Sequence, residues 1–226
     1  MPLKLHELTK DEEFKAVCDV EHEAYSHPFN GVWEITTGSS PEDCCARQLA
    51  WHNADPNSHW LYVTDDETGQ VIGGAQWIVH RTNPYVVEQP VKTAYWLPEG
   101  PMREIGNQLY SGLSAHRPKY MSKPHLLLSY CFVHSAHRNR GTARLLLKWG
   151  TDKADELGLE AFVESTDMAR AVYEKSGFYV IDELSMDATT ADEDDEDFGK
   201  VRKWLGCPIH GWVMKRDAPE TRQKVN

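Results

Sequence analysis

Three arginines and one glycine occur within seven residues, in the segment Arg138-Asn139-Arg140-Gly141-Thr142-Ala143-Arg144, which lies between an apolar run and a helical pattern. A helix that begins here points its first backbone N–H groups, and the positive end of its dipole, at whatever lies in front of it. Gly141 allows the main chain to come close to a ligand, and Ala143 leaves the first turn unobstructed. No acidic residue occurs from His134 through Thr151. The segment therefore predicts a cradle for a small anion such as a pyrophosphate.

Other chemistry is poorly supported by the sequence. Neither the Gly-x4-Gly-Lys-Ser/Thr loop nor the Gly-x-Gly-x-x-Gly loop occurs. The five cysteines form no Cys-x-x-Cys pair and their number is odd, which favours reduced thiols over a disulfide or zinc framework. His134 and His137 flank only Ser-Ala and are predicted to be loop residues, so no metal site is predicted.

The elements around the arginine segment are clearly marked. Leu126–Val133 is an apolar run of strand length, and the polar turn His134–Arg140 leads into Gly141. The helix that follows has one apolar face and ends at Gly158. The later patterns predict a strand at Glu160–Glu164, a helix at Met168–Ser176, and strands at Phe178–Ile181 and His210–Met214.

The first half of the chain predicts helices and a hairpin. The predicted elements are a helix at Asp11–Ser26, a helix at Pro41–His52, strands at His59–Thr64 and Val71–Val79, and a helix at about Met102–Leu113. Gly73 and Gly74 inside a strand indicate a bulge or the close approach of a neighbouring element. Four prolines predict a loop over residues 81–101.

The net charge of -11 is concentrated in one segment. Nine of the 35 acidic residues lie between Asp182 and Asp197, with no Lys or Arg, so the remaining 24 basic and 26 acidic residues nearly balance. We predict one domain over residues 1–226, with an acidic loop insertion at 182–200 and a polar tail at 217–226. The charge argues against nucleic-acid binding. No apolar run approaches the ~20 residues that span a bilayer, so a cytoplasmic protein with no membrane partner is expected.

Two segments together resemble the GNAT superfamily of N-acetyltransferases. The first is Phe132-Val133-His134 with Arg138-x-x-Gly141-x-Ala143 and Leu145-Leu146-Leu147, which is similar to the acetyl-CoA motif of that family. The second is Phe162-Val163-Glu164-Ser165 followed by Ala171–Phe178, which is similar to its later strand and the Leu-Tyr-x-x-x-Gly-Phe sequence. Two residues after the strand valine, Val133, the family commonly has a proline, and this sequence has Ser135. The resemblance covers Leu126–Ile181. Within the family, the sequence resembles fungal members that acetylate small molecules.

The resemblance implies an α/β fold of mixed α+β class. Its central sheet is mostly antiparallel and flanked by helices, with a splayed pair of parallel strands at the CoA site. It implies acetyl-CoA as cosubstrate, with the pantetheine arm bonded like an added strand to the main chain of Phe132 and Val133, and with the pyrophosphate on the arginine loop. The residues predicted to bind the cosubstrate are Cys131, Phe132, Val133, Arg138, Asn139, Arg140, Gly141, Thr142, Ala143, Arg144, Ser165 and Tyr173.

The resemblance also suggests catalytic residues. Tyr173 matches the tyrosine near the thioester sulfur, and a phenol, with a pKa of ~10, can donate a proton to the departing thiolate. The general base is left open: Glu164 is the candidate and His134 an alternative, and each also fits a structural role. Cys131 is predicted to pack in the strand rather than to carry an acyl group.

The acceptor is expected to bind to the N-terminal half, which is rich in aromatic residues. These are Tyr25, Phe29, Trp33, Tyr85, Tyr95 and Trp96. They can hold an aryl group or a cation, and Glu34, Glu88 and the acidic segment can attract an ammonium group. Because the Met102–Pro124 segment should partly cover the site, we predict a small-molecule amine as acceptor. We expect the protein to be a monomer or a homodimer. A protein N-acetyltransferase and a catalytically silent acyl-CoA-binding module remain as alternatives.

Overall fold

One sheet organises the chain. The computed structural model describes residues 2–87, 93–192 and 194–222. The strands are β1 (Leu3–Glu7), β2 (Ser58–Asp65), β3 (Val71–His80), β4 (His125–Val133), β5 (Glu160–Ser165), β6 (Tyr179–Met186) and β7 (Ile209–Arg216). Within the described residues they form a single sheet in the order β1-β2-β3-β4-β5-β7-β6. Neighbouring strands are antiparallel except β4 and β5, which are parallel.

Helices cover both faces of the sheet. They are α1 (Asp11–Ser26), α2 (Gly31–Thr37), α3 (Pro41–Ala54), α4 (Pro101–Ser114), α5 (Arg117–Tyr120), α6 (Thr142–Leu157), α7 (Asp167–Glu174), α8 (Glu196–Trp204) and α9 (Pro219–Arg222), with a short 3-10 helix at Ser135–His137. Along β2, Leu61 and Val63 pack with α6, whereas Trp60 and Tyr62 pack with α1. This alternation is what a strand with both faces covered requires. In the part of the chain that is described, no helix is both long and apolar enough to cross a membrane.

A bulge in β4 changes which residues face each layer. The register between β3 and β4 moves from Gln76 opposite Tyr130 to Trp77 opposite Leu128, so Ser129 has no partner. An extra residue reverses the in-out alternation. As a result Leu128 and Cys131 face the α6 side of the sheet, whereas Tyr130 and Phe132 face α1.

The predicted fold class is confirmed, and the predicted strands and helices of the resemblance region all occur. Gly73 and Gly74 mark a close approach, as expected. A Cβ atom on Gly73 would lie 2.7 Å from the Phe132 carbonyl oxygen and 2.8 Å from Thr142 Cγ2, and one on Gly74 would lie 2.7 Å from the Phe132 ring. Strand β1 and helices α2, α5 and α8 were not predicted, because each is short or weakly patterned.

The prediction of an acidic loop at 182–200 is wrong. Asp182 and Glu183 belong to β6, and Glu196 begins α8. Phe198 of α8 is 3% exposed and packs in one apolar cluster with α4. The acidic side chains lie on exposed positions and at the N-terminal end of a helix, where the dipole favours them. A run of acidic residues therefore did not indicate a segment without packing contacts. Glu193 lies outside the described residues.

The polar tail and the cysteines also differ from expectation. The tail begins with α9, and Arg222 of that helix pairs with Asp155 of α6. Cys18 and Cys45 form a disulfide, so the expectation of five thiols is wrong for this pair. Helices α1 and α3 pack side by side and bring the two Cα atoms to 5.7 Å, although 27 residues separate them in sequence. The sequence spacing could not show this.

Candidate active site

The sheet opens between its two parallel strands. The pairing of β4 with β5 ends at Leu128 opposite Val163. Beyond that point β4 continues beside β3, and β5 continues beside β7 as far as Ser165 opposite Trp212. The bulge at Ser129 coincides with the point of separation, because a bulged strand bends away from its neighbour. A gap with one strand edge on each side results.

The edge of β4 presents two residues to this gap. His134 donates its N–H to Ile72, so the main-chain groups of Phe132, two residues earlier, point to β3 as well. Those of Cys131 and Val133 point to the gap. The prediction for the Phe132 main chain is therefore wrong: Phe132 contributes its ring to the core under α1. The prediction for Val133 is compatible with the strand geometry.

Two phenols meet at Cys131, one from each face of the sheet. The Tyr25 hydroxyl of α1 donates to the Cys131 carbonyl oxygen at 3.2 Å and accepts from its N–H at 3.1 Å. The Tyr173 hydroxyl of α7 lies close to the Cys131 thiol. Burial raises the pKa of both phenols well above the ordinary value. Burial also raises the pKa of Cys131 to about 12, which fits the packing role predicted for this thiol.

The arginine segment begins α6 as predicted. Gly141 has φ +93° and Asn139 φ 62°, and no atom lies within 4 Å of the position that a Cβ on Gly141 would take. Thr142 is the first helical residue, and its buried hydroxyl has no hydrogen-bond partner in the described structure. Open space, left-handed backbone and a helix start are the features that anion-binding loops share.

The arginines of the segment divide into two kinds. Arg138 donates to the carbonyl oxygens of Ala24 (3.0 Å) and His27 (2.5 Å) at the end of α1. Arg140 donates to Asp65 at 2.7 Å, and this bond lowers the pKa of that buried carboxyl group. Both guanidinium groups brace the loop in this structure, and their binding of the cosubstrate stays a prediction. Arg144 is exposed, and it forms no hydrogen bond or ion pair with the described residues.

A cavity of about 610 Å³ reaches the gap from the α1 side of the sheet. Its inner end includes Ser129 and Tyr130 of β4 and Glu164 and Ser165 of β5. Its walls are mostly aromatic, with Tyr25, Trp33, Trp51, Tyr95, Trp96, Tyr110 and Tyr130. Of the predicted acceptor aromatics, Phe29 and Tyr85 are not among the lining residues, whereas Trp51, Tyr110 and Tyr130 line the cavity without having been predicted. Glu34 does not line the cavity, and Glu88 lies outside the described residues.

The model of the acetyltransferase (GNAT) family matches residues 22–178. The chain belongs to the GNAT family. It is therefore an acetyl-CoA-dependent N-acetyltransferase, with acetyl-CoA as its cosubstrate. No curated protein matches the sequence.

Solved GNAT structures share the fold at low sequence identity. A mosquito arylalkylamine N-acetyltransferase like 5b has a TM-score of 0.60 and 16% identity, over 95% of this chain and 99% of that one. A phosphinothricin acetyltransferase of Sinorhizobium meliloti, in complex with acetyl-CoA, has a TM-score of 0.56 and 13% identity, over 97% and 90%. A histone acetyltransferase and related acetyltransferase of Corynebacterium glutamicum has a TM-score of 0.53 and 16% identity, over 96% and 97%.

Glu164 lies at the mouth of the gap of this GNAT enzyme but is tied to two basic residues. Arg117 donates to its two oxygens at 2.8 and 3.1 Å, and His116 Nε2 lies 3.1 Å from Glu164 Oε1. Burial alone would raise the pKa of Glu164, but Arg117 and His116 outweigh it and lower the pKa to about 2. A group so weakly basic gains little by taking a proton from an ammonium at neutral pH. The ion pair with Arg117 therefore argues against Glu164 as the general base, and the base stays unassigned.

A second carboxyl group is buried behind the aromatic wall. Glu21 of α1 is 1% exposed, and Gln48 of α3 donates to one of its oxygens at 3.1 Å. The other oxygen has no partner among the described atoms. Burial raises the pKa of Glu21 to about 8, although the bond from Gln48 acts in the opposite direction. Glu21 is therefore largely protonated at neutral pH.

Sequence reasoning also missed three polar groups of this site. They are the Tyr25 hydroxyl as a partner of the main chain, the Arg117 guanidinium group and the Glu21 carboxyl group. Tyr25 could be named only as one aromatic among several. Arg117 stands in a Pro-containing turn, 47 residues before its partner Glu164, and no local signal joins them. Glu21 follows the apolar spacing of α1, and a carboxyl group at a core position of an amphipathic helix is the one signal that could have found it.

Proposed function

We propose that this GNAT enzyme transfers the acetyl group of acetyl-CoA directly to a primary amine of a small molecule with an aromatic or apolar body. One observation carries the proposal: the cavity of about 610 Å³ joins the gap between β4 and β5 and has aromatic walls. A volume of a few hundred cubic ångströms suits a small ligand. Aromatic walls favour an aryl group or a cation.

The cover over the cavity supports a small acceptor rather than a protein. Tyr110, Leu113 and Ser114 of α4 and Arg117 of α5 line it from above the sheet. A peptide that reacts within a folded protein needs an open groove. The fold alone is neutral on this point, because it is shared by an arylalkylamine enzyme and by a histone enzyme.

The residues present fit acetyl-CoA as the second substrate. Acetyl-CoA supplies an acetyl thioester: its C–S bond breaks as the N–C bond forms, the nitrogen loses one proton and the sulfur gains one. We infer that Cys131 and Val133 offer the main-chain edge for its arm, and that the segment from Asn139 to Arg144 offers open space and N–H groups for its pyrophosphate.

Tyr173 is the proposed proton donor at the sulfur. Its hydroxyl lies against Cys131 beside the gap, and burial keeps the phenol protonated. A neutral phenol donates a proton readily to a developing thiolate. Ser165, buried at the end of β5 and part of the cavity wall, bounds the gap on the other side.

An amine panel tests the proposal. Thiol release from acetyl-CoA is followed with arylalkylamines, aliphatic diamines, and peptides carrying a free α-amine or lysine. We expect turnover with small aryl or apolar amines. Preferred turnover of the peptides would favour a protein acetyltransferase, and acetyl-CoA binding without any turnover would favour a silent binding module; either result would refute the proposal.

A tryptophan pair provides a matched control. Trp51 lines the cavity and is 38% exposed, whereas Trp204 is 52% exposed and does not line it. With the best amine, Trp51→Ala should raise the acceptor KM while the acetyl-CoA KM stays constant. Trp204→Ala should change neither. Equal effects of the two substitutions would contradict the cavity as the acceptor site.

A further inference from the structure

The Tyr25 hydroxyl is bonded to the main chain rather than to another side chain. It accepts from the Cys131 N–H at 3.1 Å and donates to the Cys131 carbonyl oxygen at 3.2 Å. One hydroxyl thus satisfies both polar groups of a residue on a strand edge. That edge begins where β5 leaves β4, after Leu128.

The position of this hydroxyl explains how an open strand edge persists inside the protein. Buried N–H and C=O groups are costly without partners, and β5 no longer provides them here. Tyr25 reaches the edge from α1 and supplies the missing partner. An N–H group has one hydrogen to donate, so Cys131 can serve Tyr25 or a ligand paired along this edge, but not both.

We propose that in the free enzyme the Tyr25 hydroxyl occupies the hydrogen-bonding position at Cys131 that acetyl-CoA takes when it binds. Binding of acetyl-CoA then breaks the hydrogen bonds between Tyr25 and Cys131. The inference rests on the proposed function, which puts the cosubstrate arm on the same edge. The Tyr25 ring has its own packing, with Trp33 at 5.1 Å and Phe132 at 5.7 Å between ring centroids. The ring can therefore stay in position while its hydroxyl changes partner.

Tyr25 also belongs to the wall of the acceptor cavity. A change at its hydroxyl alters that wall directly, without a larger movement of α1. The same residue thus links occupation of the cosubstrate edge to the state of the acceptor cavity. The link predicts that the amine binds more tightly to the enzyme that already holds CoA, because the Tyr25 hydroxyl is then free of Cys131.

Tyr25→Phe tests the proposal, since it removes the hydroxyl and keeps the ring. CoA affinity is measured by calorimetry, and amide exchange is followed at Cys131. A competing hydrogen bond is worth about 0.5–1.5 kcal/mol, so CoA should bind the variant about three- to tenfold more tightly than the wild type. The Cys131 amide should exchange faster in the free variant and become protected when CoA is added.

Tyr110→Phe is the matched control. Tyr110 lines the same cavity, and its hydroxyl lies 2.7 Å from Thr36 Oγ1, away from β4. Its substitution should leave CoA affinity unchanged. Equal or weaker binding of CoA by Tyr25→Phe would overturn the place-holding role and leave the proposed function standing. Failure of the wild-type enzyme to bind CoA would overturn both.

A second measurement covers the case in which Tyr25→Phe does not fold. The wild-type chain carrying 3-fluorotyrosine at position 25 keeps both hydrogen bonds. Its fluorine resonance should move on saturation with CoA, because the hydroxyl loses its bonds to Cys131. An unchanged resonance in a sample that binds CoA would overturn the proposal.

Discussion

The two halves of the candidate site are built from different parts of the chain. The cosubstrate half consists of main chain: the open edge of β4 and the left-handed turn at Gly141 that begins α6. The acceptor half consists of side chains from α1 to α5, from β3 to β5 and from the β6 and β7 end of the sheet. A main-chain site needs glycine and small residues at fixed spacing, and so it leaves a motif in the sequence. A side-chain site assembled from distant elements leaves none.

The halves also differ in where they carry charge. A buried protonated carboxyl group, Glu21, lies behind the acceptor cavity, and a buried ion pair, Glu164 with Arg117, lines it. In the cosubstrate half, the charged groups of Arg138 and Arg140 brace the loop from outside. Changes in the acceptor half should therefore act on stability and pH dependence, and changes in the cosubstrate half on CoA affinity.

The largest effect is expected from Glu21→Gln. Burial raises the pKa of Glu21 to about 8, against 4.5 for a carboxyl group in water, so the folded state holds its proton over a range in which the unfolded state has lost it. Wild-type stability from this group is fully present below pH 4.5 and falls until about pH 8. Each pH unit in that window costs about 1.4 kcal/mol, so the variant should be more stable at pH 9 by on the order of 5 kcal/mol.

Urea unfolding at pH 5, 7 and 9 measures this difference. The variant and the wild type should be nearly equal at pH 5 and diverge as the pH rises. Glu12→Gln on the same helix is the control, because Glu12 is exposed and its substitution should change stability little at any pH. A difference that is independent of pH would show that Glu21 does not titrate as a buried acid.

The second effect belongs to the cosubstrate half. Gly141→Glu forces a side chain onto φ +93° and puts an anion in the open space in front of α6. We expect CoA to bind more weakly by at least about 2–3 kcal/mol, because a favourable anion site becomes a repulsive one. Calorimetry measures the change.

Gly158→Glu is its matched control. Gly158 ends the same helix with φ +68°, and it too has no atom within 4 Å of a Cβ position. The backbone strain is therefore similar, but the site is at the other end of α6. If both variants lose CoA affinity equally, the loss reflects strain in α6, and the anion cradle is not where we assign it.

The sequence predicts features that depend on neighbouring residues better than features that depend on contacts across the sheet. The segment around Gly141 was predicted correctly in position and form, because its conformation depends on residues next to each other. The bulge at Ser129 was not predicted, since a strand pattern does not reveal which residue lacks a partner across the sheet. Helix α8 was missed because Phe198 is its one buried residue, and because the acidic run before it ends in its first turn.

Side-chain roles were less predictable still. Glu164 was correctly identified as a residue beside the gap, yet its chemistry depends on Arg117, which tertiary packing brings to 2.8 Å. The guanidinium groups of Arg138 and Arg140 were predicted from charge alone, and their direction is decided by the end of α1 and by Asp65. A charged residue in a motif shows where a charge lies along the chain but not what it touches.

A smaller effect is expected at the junction of the halves. Tyr173→Phe keeps the ring packed against Phe178 and removes only the proton offered at the gap. Because the CoA thiol is a fair leaving group, we expect kcat and kcat/KM to fall together by roughly tenfold to a hundredfold, while CoA affinity stays the same. Steady-state rates with an accepted amine, under conditions in which chemistry limits turnover, measure this. Wild-type kcat in the variant would make Tyr173 a packing residue.

The smallest expected effect is a loss of CoA affinity at Arg144, which distinguishes this arginine from Arg138 and Arg140. Arg144 is exposed and forms no hydrogen bond or ion pair with the described residues, so Arg144→Ala should weaken CoA binding by roughly two- to fivefold without changing the melting temperature. The loss should shrink at high salt, since an exposed charge is screened. Lys148→Ala, one turn further along α6 at an exposed lysine paired with Asp152, should leave CoA affinity nearly unchanged.

Arg140→Ala should give the opposite pattern to Arg144→Ala. Arg140 neutralises Asp65, which is buried, so its loss leaves a carboxylate without its cation. We expect a lower melting temperature in the absence of CoA, and any loss of affinity should follow from the loosened loop and persist at high salt. If Arg140→Ala instead weakens CoA binding in a salt-dependent way at an unchanged melting temperature, its guanidinium group contacts the phosphate. The division of the loop into bracing and binding arginines would then be wrong.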